Sequence, residues 1–216
     1  ADDIASKFES VAAKYPEGLS KTALQQIVKV EEQRMVDLKA GKATGDVLRR
    51  DVKLFPGMQR APVSTSHVGR GAQRYEDGNR LLDFVNPHPS RPAKQGGGDV
   101  LLISSSKPQK RDWLLPKGGW DHGEKARVAA RLYLLVVAVL QVAGIKPKML
   151  PKTEFKNKDG EGHVYYPFKM TAKTVYDQWP ESMRYRIWVS YDDAIKLLAN
   201  RKEMVDIVNA ARAVRN

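Results

Sequence analysis

Apolar residues recur at helical spacing through the first part of the chain. Ile4, Phe8, Val11 and Ala12 stand at i, i+4, i+7 and i+8, the spacing that lines one face of a helix. Pro16-Glu17-Gly18 interrupts the pattern. Ser20 carries the hydroxyl of a helix N-cap, and the residues after it predict a second helix with Leu24, Ile27, Val28 and Val36, ended by Gly41. A short third helix is expected over Val47, Leu48 and Val52, before Pro56-Gly57.

From about residue 60 the texture changes to short apolar runs separated by turn residues. Arg80–Val85 suits a strand, and Asn86–Gly98, with three prolines and three consecutive glycines, suits a loop. Val100–Ser104 and Trp113–Leu115 predict two short strands, the latter stopped by Pro116. Ala126–Ala143 is helical by length and composition. His163–Val175 and Tyr185–Ser190, with their aromatic and β-branched residues, predict strands. Asp192–Leu198 and Lys202–Val214 predict closing helices. This mixed order of strands and helices gives an α/β or α+β class. It divides the chain into a helical N-terminal extension, 1–58, and a mixed domain, 59–216.

Composition narrows the function. Of 216 residues, 42% are apolar and 29% charged, enough to build a core and too apolar for wholesale disorder. No cysteine is present, which excludes disulfides, thiolate zinc sites, iron–sulfur clusters and cysteine nucleophiles. The most apolar run, Leu132–Leu140, is far shorter than the about 20 residues that span a bilayer, so no membrane span is expected. Ala1-Asp2-Asp3-Ile4 lacks the basic and then apolar pattern expected of a secretory leader. His67, His88, His122 and His163 show no metal-ligand spacing. The formal charge is +12, and residues 91–152 hold 12 Lys and Arg against four acids, or +8 of that total. Such a balance points to polyanionic partners. Trp113, Trp120, Tyr165 and Tyr166 in or near that stretch are of the type that stacks on bases.

One motif points to chemistry. Trp113-Leu114-Leu115-Pro116-Lys117-Gly118-Gly119-Trp120-Asp121-His122-Gly123-Glu124 places an acid six positions after Gly118, between a strand and a helix. It resembles the opening of the Nudix box, G-x5-E-x7-R-E-U-x-E-E-x-G-U, where U is aliphatic. Gly69–Tyr75, Gly78–Leu81, Val100–Ser106, Trp179-Pro180-Glu181, Arg184–Val189 and Asp193-Ala194 resemble the fungal-type diphosphoinositol polyphosphate phosphohydrolases. The likeness covers roughly 64–215. It implies a Nudix-type α/β/α sandwich with a mixed sheet, and hydrolysis of a diphosphate by water activated on magnesium. Residues 1–55 have no such counterpart.

The carboxylates that this chemistry needs are missing. Counted from Gly118, the R-E pair falls on Leu132 and Tyr133 and the E-E pair on Val136 and Val137. Counted back from Gly144, the glutamates fall on Ala138, Gln141 and Val142. Between Glu124 and Glu154 there is no Asp or Glu. Glu124 alone remains of the box, where an acid also suits a helix N-terminus. A rescue would come from Asp159, Glu161 or another loop acid. Otherwise no metal and no cofactor is expected, with magnesium only if the chain is an active diphosphatase. The helix is instead apolar on nearly every side, as buried helices are. Leu135, Val136, Val139 and Leu140 are expected to fill the former cleft or to face a partner.

Phosphate binding can outlive the metal site. By the resemblance, Arg74, Arg80, Ser104, Ser105, Ser106, Lys117, Gly118, Gly119, Arg184 and Arg186 stand where the family holds inositol phosphates. Three readings follow. The first is a catalytically inactive Nudix-fold subunit of a ribonucleoprotein, bound to RNA or to its protein subunits, with the mitochondrial ribosome as the expected setting. The second is a diphosphoinositol or dinucleotide polyphosphate diphosphatase, and the third an inositol phosphate binder that does not hydrolyse. The alternative location is cytoplasmic or nuclear.

Overall fold

The computed structural model describes residues 2–39, 75–76, 79–88, 100–105, 110–120, 123, 125, 140–142, 148–175 and 184–214. Helices α1 (Asp2–Ala12) and α2 (Lys21–Lys39) open the chain. Ser20 is the predicted cap: its Oγ accepts the Ala23 N–H at 3.2 Å. The turn before it needs Gly18, whose φ is +78° and whose missing Cβ would lie 3.3 Å from Lys196 Nζ. The expected third helix lies outside the described residues.

Among the described residues ten strands follow: β1 (Tyr75–Glu76), β2 (Asn79–His88), β3 (Val100–Ser104), β4 (Trp113–Leu114), β5 (Lys117–Gly119), β6 (Leu140–Val142), β7 (Lys148–Met149), β8 (Thr153–Lys156), β9 (Gly162–Val175) and β10 (Arg186–Val189). Helices α3 (Tyr191–Leu197) and α4 (Lys202–Ala213) close the described chain. The strands form a mixed seven-stranded sheet, with β2 and β9 parallel at its centre, and an antiparallel three-stranded sheet in the order β10-β3-β4. Strand β9 tolerates Pro167 because of its partners' spacing. β8 pairs up to Tyr165 and β7 takes over at Phe168, so the missing N–H falls between two ladders.

Two expectations need correction. The strand expected to end near Val85 runs to His88, because β2 stays in register with β9 from Arg80↔His163 to His88↔Thr171. Residues 86–88 are therefore strand, not loop. The end of the helix expected over 126–143 is strand instead: Leu140–Val142 pair antiparallel with β9 around a bulge, and residues 126–139 lie outside the described residues. A short continuous apolar run has no period that separates a buried helix from a buried strand, and Leu140 thus belongs to β6.

Strands β3, β9 and β10 carry buried residues on both faces. Val100, Leu102, Trp113, Leu115, Tyr165, Ile187 and Val189 form one core cluster with Ala23, Ile27 and Val30 of α2 and with residues of α3 and α4. Leu101, Ile103, Val164, Phe168, Met170 and Trp188 are equally buried but lie outside that cluster, on the alternate faces of their strands. Residues of the N-terminal extension thus share a core with the mixed domain.

Polar contacts fasten α2 in place. The Gln26 amide acts as a strand partner for Trp188, accepting its N–H at 2.8 Å and donating to its carbonyl at 2.5 Å. β10 is an edge of its sheet among the described residues, and α2 covers it there. The buried Asp193 carboxylate accepts the Ser20 N–H (2.9 Å), the Ser20 hydroxyl (2.5 Å) and the Ser190 hydroxyl (3.0 Å). One acid therefore joins the N-caps of α2 and α3. Further along α2, Glu31 accepts from Tyr15 Oη at 2.7 Å and Arg111 Nε at 3.3 Å. Burial, then the Glu31 hydrogen bond, pushes the Tyr15 phenol well above its usual range. Among the described residues, no helix is long and apolar enough to cross a membrane.

Candidate phosphate-binding site

The predicted phosphate ligands fall into two places. Ser104 ends β3, and Arg184 and Arg186 flank the start of β10. The Ser104 N–H donates to the Tyr185 carbonyl at 2.8 Å, and its Oγ accepts the Tyr185 N–H at 2.8 Å. Arg184 Nη1 donates to the Ser104 carbonyl at 3.1 Å. The Ser105 N–H donates to the Asp112 carbonyl at 3.0 Å, and Arg186 lies opposite Ile103. These residues lie close together, and the polar groups of Ser104 and Arg184 tie β3 to β10. Ser104 is 1% exposed, so its hydroxyl faces the protein interior.

Lys117, Gly118 and Gly119 sit apart from that corner, on the seven-stranded sheet. They form β5 and pair with Phe84, Asp83 and Leu82 of β2. Leu82 and Asp83 in turn pair with Tyr165 and Tyr166 of β9. Among the described residues β5 pairs only with β2, and two of its three residues are glycines without side chains. Lys117 Nζ lies 5.9 Å from the centroid of the Tyr165 ring, a cation–π distance. Arg80 lies in β2, opposite Tyr75 and His163. Arg74, Ser106, Glu124, Leu135, Val136 and Val139 lie outside the described residues, as do His67 and His122.

The loop acids serve a turn. Asn157 Oδ1 accepts the N–H groups of Asp159 and Glu161, and Asn157 Nδ2 donates to Glu161 Oε2 at 3.0 Å. This closes the β8–β9 hairpin, with Gly160 at φ +79°. His163 packs its ring 5.3 Å from that of Phe155. Among the described residues, no group of three or more His, Asp or Glu is placed to hold a metal ion.

Sequence reasoning missed the structural work of Asp193 and Gln26. The first had a local signal. Ser190 stands three residues before Asp193, as in a capping box, and its Oγ accepts the Asp193 N–H. The second had none, because a glutamine facing a strand edge leaves no pattern in the sequence.

The glycine strand, the mixed sheet around parallel β2 and β9, and the helices that share its core define an α+β protein of the Nudix type. No protein-family model matches the chain. The RxLR effector protein CRE5 of Phytophthora infestans is 47% identical over 119 residues, 52% of this chain and 46% of that one, so the chain spans less than half of that relative's length. Nudix hydrolase 21, chloroplastic, of Arabidopsis thaliana is 37% identical over 142 residues, 62% of this chain and 68% of that protein. Among solved structures, a Nudix hydrolase from Nitrosomonas europaea covers 62% of this chain and 89% of its own, with a TM-score of 0.51 at 13% identity, which is a likeness of fold. The chain belongs to the Nudix hydrolase family.

Proposed function

We propose that this chain is a Nudix-fold protein that holds a diphosphate-bearing polyanion without cutting it. The observation that carries the reading is the absence of any Asp or Glu from 125 to 153, directly after a glycine strand that is built into the sheet. Magnesium takes hard oxygen ligands, and this stretch offers no carboxylate. The group does not fit there. The diphosphoinositol phosphohydrolase resemblance makes the ligand phosphate-rich. The name of the Phytophthora infestans relative supports an effector role.

Two measurements test the reading. A magnesium-dependent assay with a diphosphoinositol polyphosphate and a dinucleotide polyphosphate is expected to show no turnover. Turnover abolished by Glu124→Gln would overturn the proposal and restore the diphosphatase reading. Calorimetry with inorganic diphosphate is expected to show binding that Lys117→Ala weakens.

The cluster of +8 in residues 91–152 favours a second reading, an RNA-associated subunit of a ribonucleoprotein in a mitochondrial setting. Phosphate-backbone binding weakens steeply with salt. Filter binding of the chain to RNA that is absent, or indifferent to salt, ends that reading.

A further inference from the structure

The two halves of α2 face the protein with opposite chemistry. In the first half Ala23, Ile27 and Val30 are buried, while Lys21, Gln25 and Lys29 are exposed. In the second half charged residues turn inward. Glu31 and Arg34 are buried, and their charged groups lie 3.6 Å apart. The Glu31 carboxylate also accepts from Tyr15 and Arg111. Arg34 lies 5.0 Å from the centroid of the Tyr185 ring, whose hydroxyl donates to Asp37 at 2.5 Å. The apolar residues turn outward instead: Met35, Val36 and Leu38 are 51%, 59% and 43% exposed. Turning the helix to bury them would break those polar contacts and expose Ile27 and Val30. The outward apolar face is therefore built into the fold.

Single exposed apolar residues are ordinary, but a contiguous group of them marks a contact surface. Glu32, Met35, Val36 and Lys39 stand at i, i+3, i+4 and i+7, and so form one stripe along the helix. All four are exposed, and Leu38, three residues after Met35, borders them. The charges on the stripe are symmetric. Its acid and its base lie equally far from its midpoint, between Met35 and Val36. Let a second copy pack antiparallel on the stripe about a two-fold axis through that midpoint. Each Glu32 then faces the partner's Lys39, and each Met35 faces the partner's Val36. Such a contact is self-complementary, as a two-fold interface must be. A parallel packing would set acid against acid and base against base. The shared stretch, 32–39, is about 12 Å of helix at about 1.5 Å per residue, so the seam is short and association depends on concentration.

We propose that the outward face of α2 over 32–39 is a homodimer interface, in which the α2 helices of two chains pack antiparallel about a two-fold axis between Met35 and Val36. The apolar pair at the centre supplies the attraction, and the Glu32–Lys39 pairs at the two ends set the direction. The interface uses none of the residues assigned to phosphate, so it stands or falls apart from the phosphate-holding reading.

Sedimentation velocity on the full chain, from low to high concentration, tests it. The mean mass is expected to rise from one chain toward two. Met35→Glu sets a charge at the centre of the seam and should keep the chain monomeric throughout. Its urea midpoint at low concentration should match the wild type, because Met35 is exposed. Glu32→Lys and Lys39→Glu, each alone, set like charges opposite one another at both ends and should weaken dimerisation about tenfold. An equal mixture of these two variants brings opposite charges together again at both ends, and should associate about as well as the wild type. A wild type that stays monomeric at every concentration overturns the proposal and leaves the stripe to another occupant. A dimer that survives Met35→Glu overturns it as well. A midpoint for Met35→Glu far below the wild type does so too, since the residue then belongs to the fold. A dimer that neither charge variant weakens, or that the mixture fails to restore, rules out the antiparallel two-fold packing.

Discussion

The corner around Ser104 and the strand around Lys117 both carry residues of types that bind phosphate, and the fold uses them differently. At the corner, the serine, the neighbouring arginine and the adjoining backbone bond to one another and tie β3 to β10. Nearby, α2 is held by Gln26, Ser20 and Glu31. At the glycine strand, two residues have no side chain and the third places its ammonium over a ring. Hydrogen-bonding residues whose partners are internal contribute to stability. Two glycines add no side chain to packing, so substitution there has less internal bonding to disturb. The comparison therefore predicts that substitutions on the α2 and corner side change stability, and that substitutions at the glycine strand change binding.

The largest effect is expected where α2 enters the core. Ile27 is fully buried, and Ile27→Ala should cost about 3 kcal/mol, read as a lower midpoint in urea. If the midpoint stays put, the N-terminal helices do not share the core. Asp193→Ala removes the acceptor for three donors on two N-caps and should cost about 2 to 3 kcal/mol by the same measurement. A cost no greater than that of an exposed substitution would break the clasp as an account of how α2 is held. Ser104→Ala should cost about 1 to 2 kcal/mol and leave diphosphate affinity unchanged. A loss of affinity without a loss of stability would move Ser104 back among the ligands.

Tyr15 gives the same side of the molecule a pH signature. Its phenol stays protonated in the folded state above the pH at which the unfolded chain ionises near 10. The folded state thus binds more protons there, so the Tyr15 contribution to stability should be constant below about pH 10 and fall above it. Tyr15→Phe should flatten that part of the profile of melting temperature against pH. An unchanged slope would remove the Tyr15–Glu31 contact from the account.

How much of this was legible in the sequence follows from the range of each interaction. Ser20 as a cap, β3 from Val100 to Ser104 and the closing helices are encoded within a few residues, and the structure has them close to where the pattern put them. The parallel pairing that extends β2 to His88, and the β6 ladder that claims Leu140, depend on β9, a partner distant in the chain. A hydrophobic run carries no record of such a partner. The glycine motif was legible as a motif. That Lys117 meets the Tyr165 ring was not, because the contact is set by the register with β2 and β9. Nor could residue type alone show that Ser104 and Arg184 bond inward.

The smallest change in stability is expected to be the most informative about function. Lys117 is half-buried, and its ammonium lies 5.9 Å from the Tyr165 ring centroid, a separation at which the attraction is modest. Lys117→Ala should shift stability by less than Ser104→Ala does, by about 1 kcal/mol or less. A charged hydrogen bond to a phosphate is worth more than that, so the same substitution should weaken diphosphate binding by about tenfold. Measured together, the two numbers separate the regions. If Lys117→Ala lowers the urea midpoint as far as Ser104→Ala does while diphosphate affinity holds, Lys117 is a structural cation. The glycine strand is then one more piece of internal bonding, and the contrast between the two regions disappears. If affinity falls while the midpoint holds, β5 is where the polyanion sits, beside a segment whose sequence has no acid to cut it.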